Sequence, residues 1–241
     1  MVRALALLMA LAGPTAADCR LALVLGMDVS ASVDTREYRL MMEGTARAMQ
    51  APEVAAAFLD GAAVALSAFV WAGAREQALV LGWVTIDGEA ALAAAAARIA
   101  AFPRPVGDPE GDWTGRTAVG SAMLAARNLL DGAPACDAQT LDLAGDGVNN
   151  DGPEPGPLRA ALFDGVTINA LAVSGDLPLD HGTFAAEGGQ LSAWFHAHVL
   201  HGPGAFVESA EDYDAFERAM ERKLLRELRP PVIGALELPP G

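Results

Sequence analysis

With 241 residues, 52% of them hydrophobic and 6% aromatic, the chain is long enough to bury a sizeable core within one domain of ordinary size. A formal net charge of -15 excludes a basic nucleic-acid footprint, and an anionic membrane surface would repel it. The surplus of carboxylates suits cations or partners with basic rims, although solubility alone explains most of these charges.

The chain opens MVRALALLMALAGPTAADC. One Arg precedes an apolar run from Ala4 to Ala12, then Gly13-Pro14 and the small residues Thr15-Ala16-Ala17. This pattern predicts a secretory signal over residues 1–17, cleaved after Ala17. The run falls short of the roughly 20 residues that cross a bilayer, and no later segment is predicted to insert in a membrane. Asp18 stands where a lipoprotein signal wants Gly or Ala, so the expectation is a soluble exported protein, periplasmic or extracellular. The two cysteines, Cys19 and Cys136, both survive signal removal. In an exported protein an even pair suggests a disulfide; two unrelated buried thiols is the other reading.

Arg20 to Asp28 reads as a buried strand, and Thr35 to Gln50 as a helix with Tyr38, Met41, Met42 and Met49 at helical spacing, ended by Pro52. Ala62–Trp71 and Gln77–Val84 are predicted strands, joined by the short WAGARE connection as a hairpin. An alanine-rich helix follows over Glu89–Phe102. The loop PRPVGDPEGDWTGR after it is too long for a mere connector. Its Asp108, Glu110 and Asp112 read as a solvated acidic loop, or as a rim that would raise cation affinity. Thr117–Leu130 is a further predicted helix, Thr140–Asp146 a strand, Pro157–Phe163 a short helix and Val166–Val173 a strand. A helix is expected near Thr183–Glu187, a short strand over Ala205–Glu208, and a charged helix over Ala210–Leu228 with Ser209 as its N-cap. Residues 229–241 form a Pro-rich tail. Strands alternating with helices imply an α/β fold, a mostly parallel sheet with helices on both faces. The domain is expected over residues 18–228.

In such a sheet ligands sit beyond the carboxyl ends of the strands. Asp28 and Asp146 each end an apolar strand; Ser30 and Ser32 follow Asp28 at alternate positions, and Thr117 opens a helix after the long loop. Two carboxylates and three hydroxyls make an all-oxygen set suited to Mg²⁺ or Mn²⁺. Capping of the helices that follow is the structural alternative for the two aspartates.

The pattern Asp28-Val-Ser30-Ala-Ser32, then Thr117, then Asp146 before Gly147 resembles the metal-ion-dependent adhesion site of the von Willebrand factor type A domain. More narrowly, ALVLGMDVSASVDTREY, LAGDGVNNDGPEPG, GPGAFVE and RKLLREL resemble the secreted bacterial domain of unknown function 1194 family. The resemblance implies a doubly wound sheet of six strands. It also implies a metal held by Ser30, Ser32 and Thr117 with Asp28 and Asp146 as ligands or water holders, and a protein partner whose Glu or Asp carboxylate completes the coordination. In that fold the first and fourth strands are parallel neighbours, so Cys19 and Cys136 would meet at the edge opposite the aspartates.

Other readings compete. LAGDGVNNDG also resembles the haloacid-dehalogenase-type phosphohydrolases, which would make Asp28 a nucleophile and Thr117 a phosphate contact. Ser30 stands where that family has an acid, and its phosphate-binding lysine is missing; the only lysine is Lys223. His181, His196, His198 and His201 include an HxHxxH string open to zinc, but Leu200 replaces the Asp of the metallo-β-lactamase motif, and Trp194 and Phe195 suggest an amphipathic segment with surface histidines. A calcium loop from Asp146 fails at Val148. Asn149, Asn150 and Asp151 read as scaffolding, and Gly147 as a close-approach residue. A vestigial, purely structural site is the remaining alternative. The reading carried forward is a binding protein, not an enzyme.

Overall fold

A computed structural model describes residues 19–105, 115–174 and 190–229. The expected signal segment, Asp108, Glu110, Asp112, His181, the helix near Thr183–Glu187 and the tail beyond Arg229 lie outside the described residues.

Six strands form one sheet in the order β3-β2-β1-β4-β5-β6: β1 (Cys19–Asp28), β2 (Ala63–Trp71), β3 (Gln77–Ile86), β4 (Ala138–Gly145), β5 (Val166–Val173) and β6 (Val207–Ala210). Only the β2–β3 hairpin is antiparallel. β1 is central and almost wholly buried, as an unbroken apolar run in a parallel sheet requires. The chain leaves β1 toward β2 on one side and returns to β4 on the other. The crevice where strand order reverses therefore opens between the ends of β1 and β4.

Helices cover both faces. α1 (Thr35–Gln50), α2 (Pro52–Leu59), α3 (Glu89–Ala100) and α7 (Phe216–Leu228) pack on one face around Met41, Met42, Phe58 and Phe216. α4 (Val119–Asp131), α5 (Pro155–Leu162) and α6 (Leu191–His198) cover the other, around Met123, Phe163 and Phe195. No helix among the described residues is long and apolar enough to cross a membrane.

Several elements depart from expectation: α6 (Leu191–His198) was not anticipated, and α5 and β6 are each shifted by two residues at their start. α2 begins at Pro52, which ends α1 and also serves as the first residue of the next helix, where its missing N–H costs nothing. Thr117 precedes α4 by two residues instead of starting it. The last helix begins at Phe216, with no side-chain cap: Ser209 and Ala210 are taken by β6, which pairs with β5, and Asp212 Oδ1 accepts from Ala215 N at 2.8 Å in the intervening turn.

The β1–β4 register aligns Leu21 with Ala138 and Met27 with Ala144. At the lower end Cys19 and Cys136 form a disulfide with Cα atoms 4.6 Å apart.

Candidate metal centre

Asp28 ends β1 fully buried. Its Oδ1 accepts from Ser30 N at 2.8 Å, while Oδ2 is buried without a hydrogen-bond partner among the described residues. Ser32 donates from Oγ to Asp146 Oδ1 at 2.8 Å. That uses its only proton, so in the 3.1 Å contact between the Ser30 and Ser32 hydroxyls Ser30 is the donor. Asp28, Ser30, Ser32 and Asp146 thus converge at the crevice.

The backbone carrying the serines is tied on every side. Val29 N donates to Trp71 O and Ala31 N to Gly115 O, each at 2.8 Å. The Arg104 guanidinium donates to the Val33 carbonyl and, at 3.4 Å, to that of Ser30. Asp34 then starts α1 with a reciprocal capping box: it accepts from Arg36 N and Glu37 N, and Glu37 Oε2 accepts from Asp34 N at 2.7 Å. Such a cap is worth about 1 kcal/mol and fixes where the serine turn ends.

Thr117, 5% exposed, comes from the segment leading into α4. Its N–H donates to Asn150 Oδ1 at 2.9 Å, and Asn150 N donates back to Thr117 O at 2.8 Å. Asn149 Oδ1 accepts from Gly120 N, and Asp151 Oδ2 from Ala74 N. These three side chains therefore brace the loop after β4, as the sequence suggested. Glu76, buried, accepts on one oxygen from Gly73 N and Gly115 N. A Cβ on Gly145 would stand 3.0 Å from Asp28 Oδ2, and one on Gly147 3.3 Å from Thr117 Oγ1. Glycine at both places lets the β4 end close on the cluster.

Burial is the main force raising the Asp28 carboxyl well above the usual carboxylate range, and the Asp146 charge adds to it against the Ser30 hydrogen bond. Burial raises Asp146 as well, opposed by the Ser32 hydroxyl and reinforced by Glu37. Tyr213 faces the same charges: burial first, then Asp146, Asp28 and Glu37, push its phenol well up. Among the described residues no Lys or Arg pairs with Asp28 or Asp146. Asp28 and Ser30 are buried, Asp146 is partly buried and Ser32 is exposed, and two acids among neutral hydroxyls are a donor set of the kind that small hard cations take.

Tyr213 and Glu37 escaped the sequence reading. Tyr213 lies in SAEDYDAF, whose helix-forming residues hid the turn; Glu37 was legible as the third helical residue after Asp34.

Among the described residues, His196, His198 and His201 do not form one three-histidine group. His196 and His201 line one cavity of about 400 Å³ with Arg159, whose guanidinium donates to the carbonyls of Leu200 and Ala197. His198 stacks on Trp194 with ring centroids 5.2 Å apart. No group of three or more His, Cys, Asp or Glu side chains placed to hold an ion occurs among the described residues, and the cluster at Asp28 relies on hydroxyls to complete its donor set.

A family model described as "Protein of unknown function (DUF1194)" matches residues 18–232. No curated protein is significantly similar to the chain in sequence. Among solved structures, proximal thread matrix protein 1 from the mussel byssus aligns with a TM-score of 0.56 at 18% identity, over 89% of this chain and 48% of its own; another structure of it has a zinc-occupied MIDAS motif. The pilus adhesin SpaC from Lactobacillus rhamnosus GG aligns with a TM-score of 0.59 at 13% identity, over 87% of this chain and 30% of its own. A von Willebrand factor type A protein from Catenulispora acidiphila aligns with a TM-score of 0.54 at 17% identity, over 87% and 43%. The chain thus spans about half the length of the mussel protein and less of the other two. At these identities the likeness is one of fold: that of the von Willebrand factor type A domain.

Proposed function

This chain belongs to the DUF1194 family and has the von Willebrand factor type A fold, and we propose that it is an exported binding protein that uses a divalent cation, Mg²⁺ or Mn²⁺, to capture a Glu or Asp side chain of a protein partner. Residues 1–17 are the export signal, 18–228 the domain and 229–241 a tail. Asp28, Ser30, Ser32, Thr117 and Asp146 hold the cation, which supplies an open position for a hard oxygen ligand. Two carboxylates and three neutral hydroxyls offset a double positive charge without exceeding it. A further carboxylate from outside is therefore not repelled by an over-anionic site. Serine and threonine in place of acids is the choice that leaves this opening.

The observation that carries the reading is the Asp28 carboxylate: buried, with Oδ2 unpartnered, beside a second carboxylate and lacking a basic partner among the described residues. A buried acid in that state calls for a proton or a cation. The disulfide between Cys19 and Cys136 suits the oxidising surroundings of an exported protein. The phosphohydrolase alternative lacks its lysine, since Lys223 is buried in ion pairs with Asp142 and Glu227.

Titration calorimetry with Mg²⁺ and Mn²⁺ on the wild type and on Ser30→Ala/Ser32→Ala tests the proposal. Saturable binding that collapses in the double variant supports it. Binding that survives both substitutions assigns the metal to carboxylates alone and revives the phosphohydrolase; no binding by the wild type leaves a structural domain.

A further inference from the structure

A second charge cluster is buried between α7 and the sheet, apart from the crevice. Lys223 Nζ lies 2.7 Å from Asp142 Oδ1, an ion pair without hydrogen-bond geometry, and donates to Glu227 Oε1 at 2.6 Å. The three side chains are at most 1% exposed. Asp142 sits in mid-β4, where its neighbours across the sheet are Leu25 on β1 and Asn169 on β5. Asn169 donates to Glu227 Oε1 at 2.8 Å and accepts from Phe206 N at 3.1 Å. The Phe206 ring covers Lys223 and has the Arg226 guanidinium 3.8 Å from its centroid. From α1 the buried face is uncharged (Tyr38, Met41, Met42, Thr45 and Met49), as is that of α2 (Val54 and Phe58). From β1 the Arg20 guanidinium donates to Leu228 O at 2.8 Å, and Glu208 of β6 pairs with Arg222 at 2.6 Å.

Two carboxylates therefore share one ammonium in a dry interface, and Asp142 Oδ2 and Glu227 Oε2 have no hydrogen-bond partner among the described residues. Such a cluster carries one uncompensated negative charge unless it holds a proton. We propose that it is a proton-operated latch: with one proton bound it fastens the C-terminal half of α7 to β4 and β5, and on losing that proton it lets the half-helix open.

Burial, and after it the Glu227 charge, raise the Asp142 carboxyl to about 7 against the pull of Lys223. Burial alone would lower the Lys223 ammonium, but Asp142 and Glu227 outweigh it and keep it above its ordinary value. The proton gained or lost thus belongs to Asp142 and not to Lys223. In the open state Asp142 reverts to the ordinary carboxylate value near 4. Closure is then at full strength below that value and weakens as pH rises to about 7, above which it is constant.

Hydrogen exchange on the full folded chain between pH 5 and 8, corrected for intrinsic rates, tests this. Amides of residues 220–228 should lose protection by up to tenfold per pH unit up to about pH 7, then level off, while β1 amides change less. Glu227→Gln and Asp142→Asn each leave one carboxylate per ammonium and should flatten the dependence in that range. A flat wild-type profile overturns the latch, as does β1 falling in parallel with α7, or an unchanged slope in both variants. Should a variant fail to fold, the carbon-13 shift of the wild-type Asp142 carboxyl decides: a midpoint near 7 supports the latch, and one in the ordinary carboxylate range overturns it.

Discussion

Asn150 and Thr117 hold each other by two hydrogen bonds, the side-chain oxygen of Asn150 accepting from Thr117 N at 2.9 Å and the Asn150 N–H returning a bond to Thr117 O at 2.8 Å. A residue from the loop after β4 thereby fixes the backbone of Thr117. Asn150→Ala removes the acceptor and leaves the Thr117 N–H buried and unpaired, which costs about 1 to 3 kcal/mol. Thermal unfolding should show that loss, and calorimetry a Mg²⁺ affinity lower by roughly tenfold, as a misplacement worth about 1.4 kcal/mol gives. Asn150→Asp keeps an acceptor and should retain more of the stability. Equal stability of Asn150→Ala and wild type would remove the bracing role.

Gly120 in the first turn of α4 is a second point of contact with that loop. A Cβ there would lie 1.9 Å from the Pro153 carbonyl oxygen, a backbone atom that cannot swing aside. Helix propensity alone favours Gly120→Ala by about 1 kcal/mol. The clash should reverse the sign, destabilising by about 1 to 3 kcal/mol and weakening Mg²⁺ binding as the loop from Asp146 to Pro153 shifts. A variant melting above wild type with unchanged affinity would show that the loop yields freely.

The framework of the fold was legible because its strands are extreme cases. β1 is an apolar run ending in an acid, and β4 and β5 repeat the apolar character, so a mostly parallel sheet followed from pattern, while the adjacency of β1 and β4 came from the family resemblance. The candidate site was legible for a related reason: Asp28, Ser30 and Ser32 share one turn, and Asp146 directly follows the last residue of β4. What escaped was tertiary. Asp142 in mid-β4 gave no sign that its partner would be Lys223, 81 positions further on. Tyr213 was hidden because Glu211, Asp212 and Asp214 look like a helix start, while pairing of β6 with β5 withheld Ser209 and Ala210 from that helix. Pro52 was read as a stop, though it both ends α1 and opens α2.

The Cys19–Cys136 bridge closes a loop with a sequence separation of 117 and ties the first residue of β1 to the segment entering β4. On the chain-entropy model a loop of that size contributes about 4 to 5 kcal/mol by restricting the unfolded chain. Cys19→Ser/Cys136→Ser should therefore fold with a markedly lower melting temperature in urea or heat. Because the bridge lies at the sheet end opposite Asp28, Mg²⁺ affinity measured well below that temperature should stay within about twofold of wild type. A large affinity loss in the folded variant would mean that the two ends of β1 communicate.

Cation binding at the crevice should release protons. Burial raises Asp28 well above the usual carboxylate range, with the Asp146 charge adding to it, and burial raises Asp146 too. In the metal-free protein these acids hold protons to a higher pH than ordinary carboxyls, and a cation must displace them. Affinity for Mn²⁺ should accordingly rise with pH, by up to about tenfold per unit for each proton displaced, and become constant once both groups are ionised. Calorimetry at pH 5, 6 and 7 in buffers of different ionisation enthalpy counts the protons directly. A release that falls as pH rises is expected, and Asp146→Ala should lower both the affinity and the count while leaving the circular dichroism spectrum unchanged. No release at any pH would place the cation away from these two carboxylates.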